Sequence, residues 1–139
     1  MDISIILCTF NRSAPLRNAL ESAAAQSLPE SVRWEVLMVD NNSTDSTRQV
    51  AEEYCRKYPT SFRYIFELQQ GKSNALNRGI REAQGQILAF LDDDVTAEPD
   101  WLQTGAQAKS TTGASLRKID IIVTDCILRT PPWIVFSAI

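Results

Sequence analysis

Three carboxylates in a row, Asp92, Asp93 and Asp94, carry the clearest chemical signal in this chain. They follow Ile87 to Leu91 (ILAFL), an uncharged run with the length and composition of a buried strand. Negative charges held side by side at the end of such a strand repel one another, and a cation or strong donors among them relieve the cost. In an extended chain, side chains two apart share a side. Asp92 and Asp94 are therefore expected to face one point and Asp93 the other way. Hard oxygens of this kind suit Mg²⁺ or Mn²⁺, ions usually held by one or two carboxylates and completed by substrate phosphates. The competing reading is an acidic loop that caps the following helix.

Two other polar clusters also follow apolar runs. Cys8-Thr9-Phe10-Asn11-Arg12 comes after Ile3 to Leu7 (ISIIL), and Asp40-Asn41-Asn42 comes after Trp34 to Val39 (WEVLMV). Both runs are rich in β-branched or large apolar residues and predict buried strands. Phe62 to Leu68 (FRYIFEL) predicts a third strand and Ile87 to Leu91 the fourth. Between them lie helical faces. Leu16, Ala19, Leu20, Ala23 and Ala24 mark the first, with Ser13 as its expected N-cap and Pro29 beyond its end. Val50, Ala51, Tyr54, Cys55 and Tyr58 mark the second, stopped by Pro59. Ala75, Leu76, Gly79, Ile80 and Ala83 mark the third, where Gly79 suggests close packing on the sheet and Gly85 the end.

The order βαβαβαβ predicts an α/β fold: a doubly wound, mostly parallel sheet with helices on both faces, Rossmann-like in layout. Ligands of such sheets bind beyond the carboxyl ends of the strands. The three polar clusters would then form one rim, which a lone turn could not do. The first strand is not followed by G-x-G-x-x-G, so a dinucleotide site is disfavoured. Gly71-Lys72-Ser73 does not make a phosphate loop, because Phe66 stands where that motif needs its first glycine.

Composition narrows the function further. The chain has 139 residues, 44% apolar and 22% charged, which suits one soluble globular domain. Its net charge is −3 and no basic patch is visible, so nucleic acid is not an expected partner. The start (MDISIILCTFNR) does not read as a signal peptide, and no apolar run reaches the about 18 residues of a membrane span. Cys8, Cys55 and Cys126 are odd in number and widely spaced, fitting reduced thiols and a cytoplasmic protein. Histidine is absent, which excludes histidine general bases and zinc–histidine sites.

The stretches ISIILCTFNR, VLMVDNNSTDST, GKSNALNRGIREAQGQILAFLDDDV and EPDWL together resemble glycosyltransferase family two, inverting enzymes of the GT-A fold. The resemblance runs from about Ile3 to Leu102 and keeps the family's motif order and spacing. It implies transfer of a sugar from a nucleotide-diphosphate sugar, UDP- or dTDP-linked, to a sugar, lipid or protein acceptor. It implies a metal cofactor, Mg²⁺ or Mn²⁺, and a cytoplasmic or membrane-peripheral location. By the same resemblance, Thr9, Phe10, Asn11 and Arg12 pack on the nucleotide. Asp40 is implied to hydrogen-bond the base, and a carboxylate suits the imide N–H of uracil or thymine. Lys72 and Asn77 are implied to line the donor pocket, Lys72 offsetting diphosphate charge, with a solvated helix start as its alternative role. Asp92 to Asp94 match a DxD-type motif. Asp94 is the expected direct metal ligand, Asp92 a second one, and Asp92 and Asp93 are placed against the ribose or metal-bound water. Asn42, Ser43 and Asp45 read better as a helix cap, and Trp34, Trp101 and the tyrosines as packing.

Residues 1–102 are thus expected to form a nucleotide-diphospho-sugar-binding half-domain, and residues 103–139 a divergent tail. Gln103 to Ser115 (QTGAQAKSTTGAS) shows no clear period. Ile119 to Val123 (IDIIV) reads as one strand, and Trp133 to Ile139 is apolar to the last residue. The tail acids Asp120 and Asp125 sit in no recognisable catalytic motif, so no catalytic base is assigned. The sequence therefore reads as a shortened or frame-disrupted family member, whose alternative function is nucleotide and metal binding without transfer. A nucleotidyltransferase would want a glycine-rich loop soon after the first strand, and Thr9 to Ala14 has no glycine.

Overall fold

The computed structural model describes residues 1–110 and 120–123. The elements run β1 (Ile3–Thr9), α1 (Ser13–Ala24), β2 (Trp34–Asp40), α2 (Thr47–Lys57), β3 (Phe62–Phe66), α3 (Lys72–Glu82), β4 (Ile87–Phe90), α4 (Trp101–Ser110) and β5 (Asp120–Val123). The strands form one sheet in the order β3-β2-β1-β4-β5, and every pair is parallel. The α/β doubly wound expectation holds.

Strand alternation divides the apolar residues into two cores. Ile3, Ile5, Leu7, Val36, Met38 and Ala89 face one side, with Leu16 and Leu20 of α1, Val50 and Tyr54 of α2, and Leu102 of α4. Ile6, Leu37, Val39, Ile65, Leu88 and Phe90 face the other, with Ala75 of α3. Helices therefore cover both faces, which is why the strands read as apolar runs rather than alternating ones. Gly79 of α3 makes the close approach expected of it: a Cβ there would lie 2.6 Å from Ile6 Cγ2.

The chain winds outward from β1 to β2 and β3, then crosses to place β4 on the other side of β1. That reversal opens a crevice beyond the carboxyl ends of β1 and β4, the usual ligand position in such sheets. At the opposite end of the sheet the buried Glu35 carboxylate holds the elements together. It accepts from Ser4 Oγ (2.6 Å), the Gln84 N–H (2.8 Å) and Arg63 Nη1 (2.8 Å).

Several boundaries differ from expectation. Ser13 is the first residue of α1, not its N-cap; its N–H is instead satisfied by Asp45 Oδ2 at 3.2 Å. Strand β3 stops at Phe66: the Glu67 N–H still donates to the Asp40 carbonyl (2.9 Å), but the carbonyls of Glu67 (3.3 Å) and Gln69 (2.8 Å) accept from Asn41 Nδ2. Helix α3 ends before Gly85: Ala83 is already extended, and the Gly85 N–H is taken by Ser4 Oγ at 2.8 Å. Helix α4 runs through residues 103–110, where the sequence offers no apolar stripe, but Ala, Gln and Lys are strong helix formers. Strand β5 occupies the expected position. Asp125 and residues 133–139 lie outside the described residues. No helix among the described residues is long and apolar enough to cross a membrane.

Candidate functional site

Register brings the polar clusters together. Thr9 pairs with Asp40 and Asp40 with Phe66, so β1, β2 and β3 end at one level, while β4 ends three residues lower, with Phe90 opposite Ile6. The Leu91 N–H still donates to the Ile6 carbonyl (3.1 Å), which carries Asp92 and Asp93 alongside Cys8 and Thr9.

The acidic segment does not continue as a strand. The Val95 N–H donates to the Asp92 carbonyl at 3.2 Å, closing a turn over Asp93 and Asp94. The strand-like alternation expected for Asp92 and Asp94 is therefore lost. Asp92 Oδ1 lies 3.7 Å from Lys72 Nζ, at the first residue of α3. Asp93 and Asp94 share one guanidinium instead: Arg12 Nη1 is 3.6 Å from Asp93 Oδ1 and 3.0 Å from Asp94 Oδ2. Two bases from two other rim segments thus offset the three acids. Burial pushes the Asp93 carboxyl above the usual aspartate range, and the charges of Asp94 and Asp92 push the same way. The nearby Thr9 hydroxyl and Arg12 guanidinium pull it back. Thr9 Oγ1 is itself buried and has no well-aligned hydrogen-bond partner. Burial likewise pushes the Cys8 thiol up to about 12, so it stays protonated at neutral pH.

The loop that carries Arg12 is fixed from the β2 side. Asn11 has a positive φ of 50°, and its Oδ1 accepts the Thr44 N–H at 2.8 Å, while its own N–H donates to Ser43 Oγ at 2.9 Å. Asp45 caps both neighbouring helices, Oδ2 taking the Ser13 N–H and Oδ1 the Thr47 N–H at 2.9 Å. The hydrogen bond from the Thr47 hydroxyl, first among its contacts, holds the Asp45 carboxyl below the usual range. Of Asn42, Ser43 and Asp45, expected to cap the helix, Asp45 bonds its first N–H, while Ser43 Oγ instead accepts from Asn11.

Asp40 is 2% exposed and already has two donors. Its Oδ1 accepts the Ser43 N–H at 2.9 Å and its Oδ2 the Tyr64 hydroxyl at 2.8 Å. Tyr64, read from sequence as packing, therefore touches a candidate site residue; only its position opposite Met38, two residues before Asp40, hints at this. Asn41 was not singled out either. Its Oδ1 takes the Gly71 N–H at 2.9 Å, holding the entry to α3 where Gly71 has φ 128°, a conformation that favours glycine. Phe10 is 45% exposed on the rim. Asn77 is half-buried further along α3 and makes no hydrogen bond to the acidic turn among the described residues.

A divalent ion here would draw on one or two protein carboxylates at most. Among the described residues no group of three or more potential ligands converges, which argues against an all-protein cage. Asp94, with its side chain 51% exposed, and Asp92, at 20%, offer hard carboxylate oxygens at the crevice mouth. That set suits Mg²⁺ or Mn²⁺ completed by phosphate oxygens.

Known proteins resemble this chain in sequence and fold. The chain is 36% identical over 114 residues to the glycosyltransferase AglE of Haloferax volcanii, an alignment that covers 82% of this chain and 37% of that protein. It is 35% identical over 115 residues to the succinoglycan biosynthesis protein ExoM of Rhizobium meliloti, covering 83% and 37%. Among solved structures, S. aureus TarS in complex with UDP superposes with a TM-score of 0.71 at 27% identity, covering 80% of this chain and 32% of that one. The mannosyltransferase PcManGT of Pyrobaculum calidifontis, in complex with GDP-Man and Mn²⁺, gives 0.70 at 27%, covering 76% and 31%. The chain thus spans about a third of the length of these relatives. A family model described as Glycosyl transferase family 2 matches residues 4–125, past Leu102 where the recognisable motifs end. Motif order, parallel topology and this match along most of the sequence agree, and the chain belongs to glycosyl transferase family 2.

Proposed function

We propose that this chain supplies the donor-binding half of a sugar transferase that uses a nucleotide-diphosphate sugar. The observation that carries the reading is the meeting of Thr9–Arg12, Asp40, Lys72 and Asp92–Asp94 at the switch point between β1 and β4. A diphosphate brings negative charge that Arg12 and Lys72 can take up, and the N-terminal end of α3 favours an anion. Phe10 offers an exposed ring to a base or ribose. Asp40 would accept the imide N–H of uracil or thymine with a lone pair left over from Ser43 and Tyr64. Asp94 and Asp92 would hold Mg²⁺ or Mn²⁺, which when bound neutralises phosphate charge as the nucleoside diphosphate leaves. Residues 1–102 form the nucleotide-binding unit in this reading. Support comes from a neighbour solved with UDP and another with GDP-Man and Mn²⁺.

The second reading is nucleotide and metal binding without transfer. It is favoured by the rim, whose acids already have partners among the described residues. An inverting transfer needs a base within hydrogen-bond reach of the acceptor hydroxyl. The chain has no histidine, and the donor-side acids are already committed to the rim. Titration calorimetry with UDP, dTDP and GDP, with Mn²⁺ and with chelator, tests the binding. Metal-strengthened binding of UDP or dTDP is expected, and equal affinity in chelator would remove the metal from the site. Incubation with nucleotide sugars and mixed acceptors separates the two readings: glycosylated product supports transfer, and nucleotide release without product supports binding alone.

A further inference from the structure

Arg12 holds two of the three acids of the rim. Its Nη1 lies 3.0 Å from the exposed Asp94 Oδ2 and 3.6 Å from the more buried Asp93 Oδ1. Beside them the Thr9 hydroxyl, 3% exposed, is directed to the Asp93 carboxylate, though not in good hydrogen-bond geometry. The backbone on both sides of Arg12 is fixed by Asn11 bonds to Ser43 and Thr44 and by the Ser13 bond to Asp45. The Arg12 side chain, by contrast, is 52% exposed and is held by the two carboxylates alone among the described residues.

We propose that Arg12 is the resident counter-ion of Asp93 and Asp94 in the free protein, and that a divalent cation reaches Asp94 by displacing the Arg12 guanidinium. The inference rests on the nucleotide–metal reading above. A guanidinium and a divalent cation cannot both sit on the same carboxylate oxygen, because they repel at that range. The guanidinium fork pairs with phosphate as readily as with carboxylate. An incoming diphosphate therefore gives Arg12 a second partner at the moment the metal takes its first one. Metal without nucleotide must work against Arg12; metal with nucleotide does not. Each ligand raises the affinity for the other, reciprocally. Arg12 is thus a positioning residue that ties metal entry to donor arrival.

The test uses Mn²⁺ alone, followed by loss of its free-ion electron paramagnetic resonance signal, on the parent chain, Arg12→Gln and Arg12→Lys. The half-exposed side chain makes both variants compatible with the fold, which circular dichroism verifies. Arg12→Gln should bind Mn²⁺ about three- to tenfold more tightly than the parent, the modest factor expected for an exposed ion pair. Arg12→Lys, which keeps the charge, should stay close to the parent. Added UDP should tighten Mn²⁺ binding in the parent and do so less in Arg12→Gln. Unchanged or weaker Mn²⁺ binding by Arg12→Gln overturns the exchange, as does Mn²⁺ binding undetectable in all three. A parent chain that binds Mn²⁺ but not UDP refutes the nucleotide reading instead, while the metal-only comparison still decides the role of Arg12.

Discussion

Replacing Asp40 by Asn separates its structural task from its proposed reading of the base. The side chain is 2% exposed, with the Ser43 N–H on Oδ1 and the Tyr64 hydroxyl on Oδ2. The Tyr64 hydroxyl stays protonated, since burial raises its pKa and the Asp40 hydrogen bond adds to the effect. Asn can keep the Ser43 bond, and the hydroxyl can turn to accept from the new amide. Two charge-assisted bonds of about 1.5–3 kcal/mol each become neutral ones of about 0.5–1.5 kcal/mol. Relief of burying a charge offsets part of that loss. A net stability loss of about 1–2 kcal/mol follows, read as a lower denaturant midpoint at unchanged slope. Tyr64→Phe is the partner experiment. It leaves Oδ2 without its donor and should cost about 1–3 kcal/mol of stability, yet it leaves the carboxylate in place. If Asp40 also accepts the imide N–H, Asp40→Asn should lose a further about 1.5–3 kcal/mol of UDP affinity, about ten- to 150-fold by calorimetry. Tyr64→Phe should bind UDP within a few-fold of the parent. Equal UDP affinity in Asp40→Asn and parent would refute the base-reading role. Equal losses in both variants would show that rim geometry, not the carboxylate, carries the effect.

Two further outcomes follow from the same contacts. Asp93 titrates above the usual 3.8 in the folded chain, mainly through burial, so its protonated form stabilises the fold. That contribution is complete below 3.8 and is lost as pH rises through the folded value. Asp93→Asn should therefore gain stability relative to the parent between pH 4 and pH 7, and a gap independent of pH would contradict the assignment. Gly85→Ala should destabilise more than Gly79→Ala. The new Cβ would meet the Ser4 backbone nitrogen at 2.5 Å in the first case and the Ile6 Cγ2 methyl at 2.6 Å in the second. Side chains yield to overpacking at about 1–3 kcal/mol while backbone does not, and thermal unfolding that ranks the two variants the other way would refute this.

The fold was legible because parallel strands buried on both faces leave apolar runs such as Ile5 to Leu7 and Val36 to Val39. Their ends were less so. Thr9 and Asp40 belong to the strands because each completes a rung with the other, a fact about partners rather than about either segment. Likewise β3 ends where the carbonyls of Glu67 and Gln69 accept from Asn41 Nδ2. A strand's length is thus decided by what competes for its carbonyls, which local propensity does not contain.

The site divides along the same line. That the segments after β1, β2 and β4 meet could be inferred from topology alone, since parallel strands put their carboxyl ends on one side. How the charges pair could not. Three adjacent carboxylates invite an extended geometry with a metal on one side, but the turn at Asp93 and Asp94 hands two of them to Arg12, far away in sequence. Lys72 reaches the remaining one from the start of α3. The acidic cluster is therefore tolerated in the free chain by bases from the two segments that a diphosphate would also touch. Charge that looks surplus in the sequence is balanced in the fold by bases from two other segments. On the proposed reading that balance would be exchanged on binding, phosphate for carboxylate at Arg12 and Lys72 and metal for base at Asp94, and the Arg12→Gln comparison tests it.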